Sequence, residues 1–181
     1  MTILGIDPSL KRTGWAVLES NTGSLEVVGA GSIPFPRPKG KLKQEKELEM
    51  LSIVYDSILD IASRFMVSAY SIELPPPMCR RGAQKLQQVV GAVKAALGAN
   101  NVSTGDEYYP STIKLTIGGH GNAEKAKVSD GVAKLLTSPF EFRNLDESDA
   151  AAIALTYWSK NGSTIGSTIG SKIRQTTKAT F

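Results

Sequence analysis

Residues 3–17 read ILGIDPSLKRTGWAV, and this stretch constrains the fold more than any other. An apolar strand pattern runs up to Asp7, breaks at a turn containing Pro8, Ser9 and Lys11, and resumes as a second apolar run. Strand, tight connection and strand predict a hairpin over 2–8 and 13–19. A carboxylate ends the first strand at the mouth of that hairpin, where an acid alone is most simply a turn former. The segment 24–35 predicts a third strand, weakened by glycines and closed by proline.

From Gln44 to about Phe65 the apolar period changes to three and four. Leu48, Leu51, Val54, Tyr55, Ile58, Leu59, Ala62 and Phe65 then line one helix face. A short strand follows at 67–74, ends at Glu73 and is stopped by Pro75, Pro76 and Pro77. A helix is expected from Gly82 to Leu97, a fifth strand in 101–109, a polar Gly-rich segment over 110–121, and a helix over 122–136 with Asn122 as its N-cap. The last helix is expected from Asp146 to Lys160. The order β-β-β-α-β-α-β-α-α predicts an α/β fold, one five-stranded mixed sheet flanked by helices. The expected domain is 1–161, and 162–181, which repeats GSTI and ends basic, is expected to be a flexible tail.

The chain has 181 residues, enough for one domain with a full core. A single cysteine, Cys79, leaves no internal disulfide framework and fits a reducing cytoplasm. No apolar run approaches the roughly 20 residues of a membrane span. The N-terminus enters a strand pattern directly, so no signal peptide is expected. A net charge of +4 and a pI near 9.2 mildly favour an anionic partner. The basic stretch 36–46 sets Arg37, Lys39, Lys41, Lys43 and Lys46 against Glu45 alone; it reads either as a solvated loop or as a phosphate-contacting one.

Two further acids join Asp7 and Glu73. In LDESDAAAIAL (145–155), Asp146 and Asp149 are three apart and share a face of a helix's first turn. Ala150, Ile153, Ala154 and Tyr157 continue that face as an apolar stripe, so the acids lie at the end that packs on the sheet. Each acid alone has a bland reading as cap, dipole partner or strand-end charge. Together they would repel one another and resist desolvation, and divalent cations with oxygen preference would relieve both costs. Two such ions roughly 4 Å apart suit phosphodiester chemistry.

The ordered set GIDPSLKRTGWAV, SIELPPP, STIKLTIGGHGNAEKAKV and DESDAAAIAL resembles the RuvC-type Holliday-junction resolvases, over about residues 2–158. The resemblance implies an RNase H-like fold, a homodimer, and Mg²⁺- or Mn²⁺-dependent nicking of four-way DNA junctions, with two ions per site. It places the catalytic acids on Asp7, Glu73, Asp146 and Asp149. It places two functional lysines on Lys114 and Lys125, with the family's eleven-residue separation kept. Lys125 would offset charge on the phosphorane and Lys114 would orient a phosphate. A symmetric dimer would supply two dyad-related sites for two opposed nicks. The helix 82–97 carries Gly91, Ala92, Ala95 and Ala96 beside its stripe, which suits either a dimer contact or ordinary packing on the sheet.

DNA contacts are expected from Lys11 and Arg12 in the hairpin turn and from Lys39, Lys41 and Lys43 in the basic loop. Arg80 and Arg81 follow the prolines, and His120 and Asn122 lie in the Gly-rich segment. His120 reads as a solvated or phosphate-facing residue rather than a base. Relatives carry an aromatic wedge after the catalytic glutamate; here LPPPMCRRGAQ offers Met78 as an apolar substitute. That departure, the basic loop and the tail suggest a divergent phage or plasmid member that also cuts other branched DNA. Rival readings are an actin-like or sugar-kinase ATPase, an RNase H-like nuclease on RNA or unbranched DNA, and a non-catalytic junction-binding module.

Overall fold

The computed structural model describes residues 1–35, 40, 42–75 and 82–162. Five strands form one sheet: β1 (Thr2–Asp7), β2 (Arg12–Asn21), β3 (Ser24–Pro34), β4 (Ala69–Glu73) and β5 (Gly105–Tyr108). Their spatial order is β3-β2-β1-β4-β5. The first three are antiparallel, whereas β4 and β5 run parallel to β1, so the sheet is mixed. Five helices complete the chain: α1 (Lys43–Arg64), α2 (Ala83–Ala99), α3 (Pro110–Gly118), α4 (Lys125–Leu135) and α5 (Leu145–Asn161).

Strand alternation sorts the core onto the two sheet faces. Leu4, Ile6, Val17 and Ile72 face a cluster with Val54, Ile58, Val90 and Val93 of α1 and α2. Ile3, Ala16, Leu18 and Ala69 face the opposite cluster, which holds α5 with residues of α3 and α4. The apolar stripe of α2 is thus spent on the core, while Gly91 and Ala95 are exposed. α5 is buried along most of its length, from Glu147 to Trp158. Side-chain bonds tie it to the sheet: Ser71 Oγ donates to the Ile153 carbonyl at 3.0 Å, and Trp158 Nε1 donates to Ser20 Oγ at 2.9 Å. Among the described residues no helix is long and apolar enough to cross a membrane.

Two glycines set how near α5 can come. A Cβ at Gly5 would overlap the Ala150 carbonyl and the Ala154 side chain, and one at Gly14 would overlap the backbone of Asp146. The small Ala150 and Ala154 complete the close fit.

The structure corrects the expected layout in four places. Residues 110–118 form α3 rather than an irregular segment; Pro110 sits at its first position and Gly119, at φ +78°, ends it. Its two buried apolar residues, Ile113 and Ile117, are too few to stand out beside the threonines and glycines. α4 begins at Lys125 with Glu124 as N-cap. Asn122 instead lies in the preceding turn, where its backbone N–H donates to His120 Nδ1 at 3.1 Å. The cap of α5 is Asn144, whose side chain accepts from the Glu147 N–H. β5 is also shorter than expected.

Because Gly5 leaves no room for a methyl, Gly5→Ala should cost about 2–3 kcal/mol in chemical denaturation. Gly98→Ala, whose added Cβ meets open space within α2, should gain roughly 0.5 kcal/mol. Equal stabilities for the two variants would contradict the packing described.

Candidate active site

The four acids come from three elements that meet at one edge of the sheet. Asp7 ends β1 and Glu73 ends β4, and the parallel register pairs Ile6 with Ile72 immediately before them. Both side chains fall on the α5 face, in step with Ile3 and Gly5 on one strand and Ser71 on the other. Asp7 also pairs in register with Gly14 of β2. Since Gly14 lets the Asp146 backbone settle against β2, the first turn of α5 docks beside Asp7.

That turn is held in place by its own cap. Glu147 is 3% exposed. Its carboxylate accepts from the Arg143 N–H at 2.9 Å and from Asn144 Nδ2 at 3.2 Å, and its N–H donates to Asn144 Oδ1 at 3.1 Å. These bonds fix the helix start, so Asp146 and Asp149 are aimed from a rigid element. The DESD segment therefore divides its acids: Glu147 is a buried partner of the Asn144 cap, and Asp146 and Asp149 lie toward the sheet edge.

Electrostatics links the four. Burial pushes the Asp7 carboxyl up to about 7, and the charges of Asp149 and Asp146 push in the same direction while Lys125 opposes them. Burial likewise raises Glu73 to about 7, helped by Asp7 and Asp149 and opposed by Lys125 and Lys114. Two cations answer the acids of α5. Lys125, the first residue of α4, donates from Nζ to Asp149 Oδ2 at 2.7 Å, and this bond raises the lysine's own pKa. Arg12 Nε forms an ion pair with Asp146 Oδ2, an oxygen that is buried and accepts no aligned hydrogen bond.

Among the described residues, no three acidic, histidine or cysteine side chains converge closely enough to make a ready-made cation cage. The reason is visible in the pairs just described: Asp146 and Asp149 turn to Arg12 and Lys125. The donor set nonetheless fits a hard divalent ion. It is all oxygen, two of its carboxyls bear a desolvation cost that nearby lysines offset only in part, and one buried oxygen of a third lacks an aligned donor.

The other expected residues fall as follows. Lys114 lies on α3 within electrostatic reach of Glu73. His120 and Asn122 share the turn before α4. Lys11 is exposed in the hairpin turn, and Lys43 is the exposed first residue of α1. Lys39, Lys41, Met78, Arg80 and Arg81, and the tail from 163 onward, lie outside the described residues. Sequence reasoning placed Arg12 among DNA contacts and missed its pairing with Asp146. No local signal joins two residues so far apart in the chain.

The model of the family described as crossover junction endodeoxyribonuclease RuvC matches residues 3–157. The chain belongs to the RuvC family. A crossover junction endodeoxyribonuclease RuvC of Oleidesulfovibrio alaskensis is 34% identical over 158 residues, covering 87% of this chain and 90% of that protein. One from Rickettsia massiliae is 31% identical, covering 86% and 96%. Among solved structures, Thermus thermophilus RuvC in complex with Holliday junction substrate matches with a TM-score of 0.74 at 24% identity, covering 90% of this chain and 96% of that one. The yeast mitochondrial Holliday junction resolvase matches at a TM-score of 0.59 and 11% identity, covering 97% and 83%. These likenesses establish the RNase H-like fold for this RuvC-family chain.

The raised acids make a prediction about stability. Asp7 and Glu73 have folded-state pKa values above their unfolded ones, so the folded chain holds more protons between about pH 4 and 7. Stability of the metal-free protein should fall as pH rises through that window, and the cost is complete above it. Asp7→Asn should therefore stabilise the fold at pH 8 by roughly 2 kcal/mol, with the gain shrinking toward pH 4. Denaturation in EDTA at both pH values checks this; a variant no more stable than wild type at pH 8 would contradict it.

Proposed function

We propose that this chain is a metal-dependent endonuclease that resolves four-way DNA junctions by paired symmetric nicks, leaving 5′-phosphate and 3′-hydroxyl ends, and that it also accepts other branched DNA. The reading rests on family membership across residues 3–157 together with one observation: acids from β1, β4 and α5 feel one another's charge at a single sheet edge. Asp7, Glu73, Asp146 and Asp149 would hold Mg²⁺, or Mn²⁺ in its place, as a pair of ions. When bound, such ions activate a water and steady the attacking and leaving oxygens of the phosphodiester.

The chain's own residues account for the remaining work. The strand ends anchor Asp7 and Glu73, and the capped start of α5 anchors its two acids, so gathering them around an ion would need side-chain turns rather than movement of the frame. Water oxygen bonds to phosphorus as the bond to the 3′-oxygen breaks, and that oxygen takes a proton. Lys125 is one hydrogen bond from Asp149 and is 65% exposed, so its ammonium can swing to a phosphate oxygen as charge builds. Lys114, on the neighbouring helix, supplies positive charge on the Glu73 side. Lys11 and Lys43 project basic charge beyond the site and suit backbone phosphates.

Two nicks on opposed strands call for two sites, so the proposal includes a homodimer with its dyad on that of the junction. The proposal sets this work in a bacterial or phage-infected cytoplasm, a reading that the single cysteine supports.

The test is incubation of labelled four-way junction, linear duplex and RNA–DNA hybrid with Mg²⁺. Paired symmetric nicks confined to the junction are expected. Asp7→Asn and Asp149→Asn should each lower cutting by roughly 10²-fold or more. Junction affinity should change by no more than about threefold, because phosphate contacts carry most of it. Cutting of the hybrid or the linear duplex in preference would favour a general RNase H-like nuclease, and full activity in both variants would remove those acids from the site.

A further inference from the structure

Arg12 is the cation that the proposed chemistry leaves unused. Ser9 Oγ accepts from both the Lys11 and Arg12 backbone N–H groups, at 3.2 and 3.3 Å, which fixes the turn that launches the side chain. At the start of β2 the Arg12 backbone is also paired with Pro34 of β3. From this fixed base Nε reaches Asp146 Oδ2, and the side chain remains 54% exposed.

The ion pair is not the sole contact between α5 and the hairpin. The glycine contact at Gly14 and the Asn144–Glu147 cap already seat the helix start. What the pair does is fill the cation position on a carboxylate assigned to the metal site. A guanidinium stays charged at every working pH, so it competes with a divalent ion under all conditions. An ion arriving at Asp146 would displace it and repel it. An arginine released there needs an anion, and a DNA phosphate offers two oxygens matched to its planar donors.

Accepting the junction-nuclease reading above, we propose that Arg12 is a positioning residue that competes with the divalent cation for Asp146 and yields that carboxylate when a DNA phosphate takes its guanidinium. Cation loading and DNA engagement are then thermodynamically coupled, and the coupling acts equally in both directions. In the absence of DNA the site holds its cation weakly.

The experiment compares wild type, Arg12→Gln and Arg12→Lys. Mn²⁺ titrated calorimetrically into each metal-free protein without DNA should bind about tenfold more tightly to Arg12→Gln. Arg12→Lys should fall between, because ammonium is better hydrated and lacks the planar fork. The salt dependence of junction binding should lose about one phosphate's worth of slope in Arg12→Gln. In cutting assays that variant should reach half-maximal rate at lower Mg²⁺ while its maximal rate drops, a split that a purely structural role would not produce. Unchanged or weaker Mn²⁺ binding by Arg12→Gln, or an unchanged salt slope, overturns the inference. If Arg12→Gln fails to fold, Mn²⁺ affinity in Arg12→Lys equal to wild type does the same. A wild type that neither takes up Mn²⁺ nor cuts junctions would sink the nuclease reading itself; one that does both while Arg12→Gln matches it sinks only the role of Arg12.

Discussion

α5 lies on the β1–β2 hairpin more closely than side chains would ordinarily allow, and the site depends on that contact. Gly5 and Gly14 remove the two Cβ atoms that would hold the helix off, and Ala150 and Ala154 present a low surface to them. Van der Waals attraction over so short a separation is dense, and the Ser71 and Trp158 side chains add hydrogen bonds between α5 and the sheet. The consequence is chemical as well as mechanical. A helix seated this low brings its first turn level with the end of β1, so acids from opposite ends of the sequence share one low-dielectric space.

That sharing carries a cost in the metal-free chain. Asp7 and Glu73 are desolvated and crowded by like charges, which drives both toward the protonated form near neutral pH. Asp146 and Asp149 instead pair with Arg12 and Lys125. The site is thus an electrostatically strained arrangement held by a rigid frame: two strand ends fixed in a parallel ladder, and a helix start fixed by its cap. Stability is given up locally to keep oxygen donors poised, a common compromise at functional sites.

Much of this was legible in the sequence because the relevant signals are local. Asp7 and Glu73 each end a strand whose apolar pattern is clear, and the Asp-x-x-Asp spacing with its alanine-rich continuation places two acids on the buried helix face. The order of the four motifs identified the family, and the family match over 3–157 bears this out. What was not legible depends on tertiary contact or on weak local pattern. α3 has two buried apolar residues among threonines and glycines, so its periodicity is faint. Asn122 looked like a helix cap because its side chain is of the right kind, yet the backbone stays in a turn with His120 and α4 starts later. Glu147 is indistinguishable from its acidic neighbours until its bonds to Arg143 and Asn144 are seen. Arg12 read as one more basic turn residue, since its partner lies at the far end of the chain.

The central claim is that Asp7, Glu73, Asp146 and Asp149 form one cation site at the edge of the sheet. Anomalous diffraction from crystals equilibrated with Mn²⁺ tests it most directly. The account predicts anomalous density within coordination distance of Asp7 and of at least one acid of α5, with Glu73 turned toward it. Manganese density elsewhere on the molecule, with none between β1, β4 and α5 at saturating Mn²⁺, would contradict it.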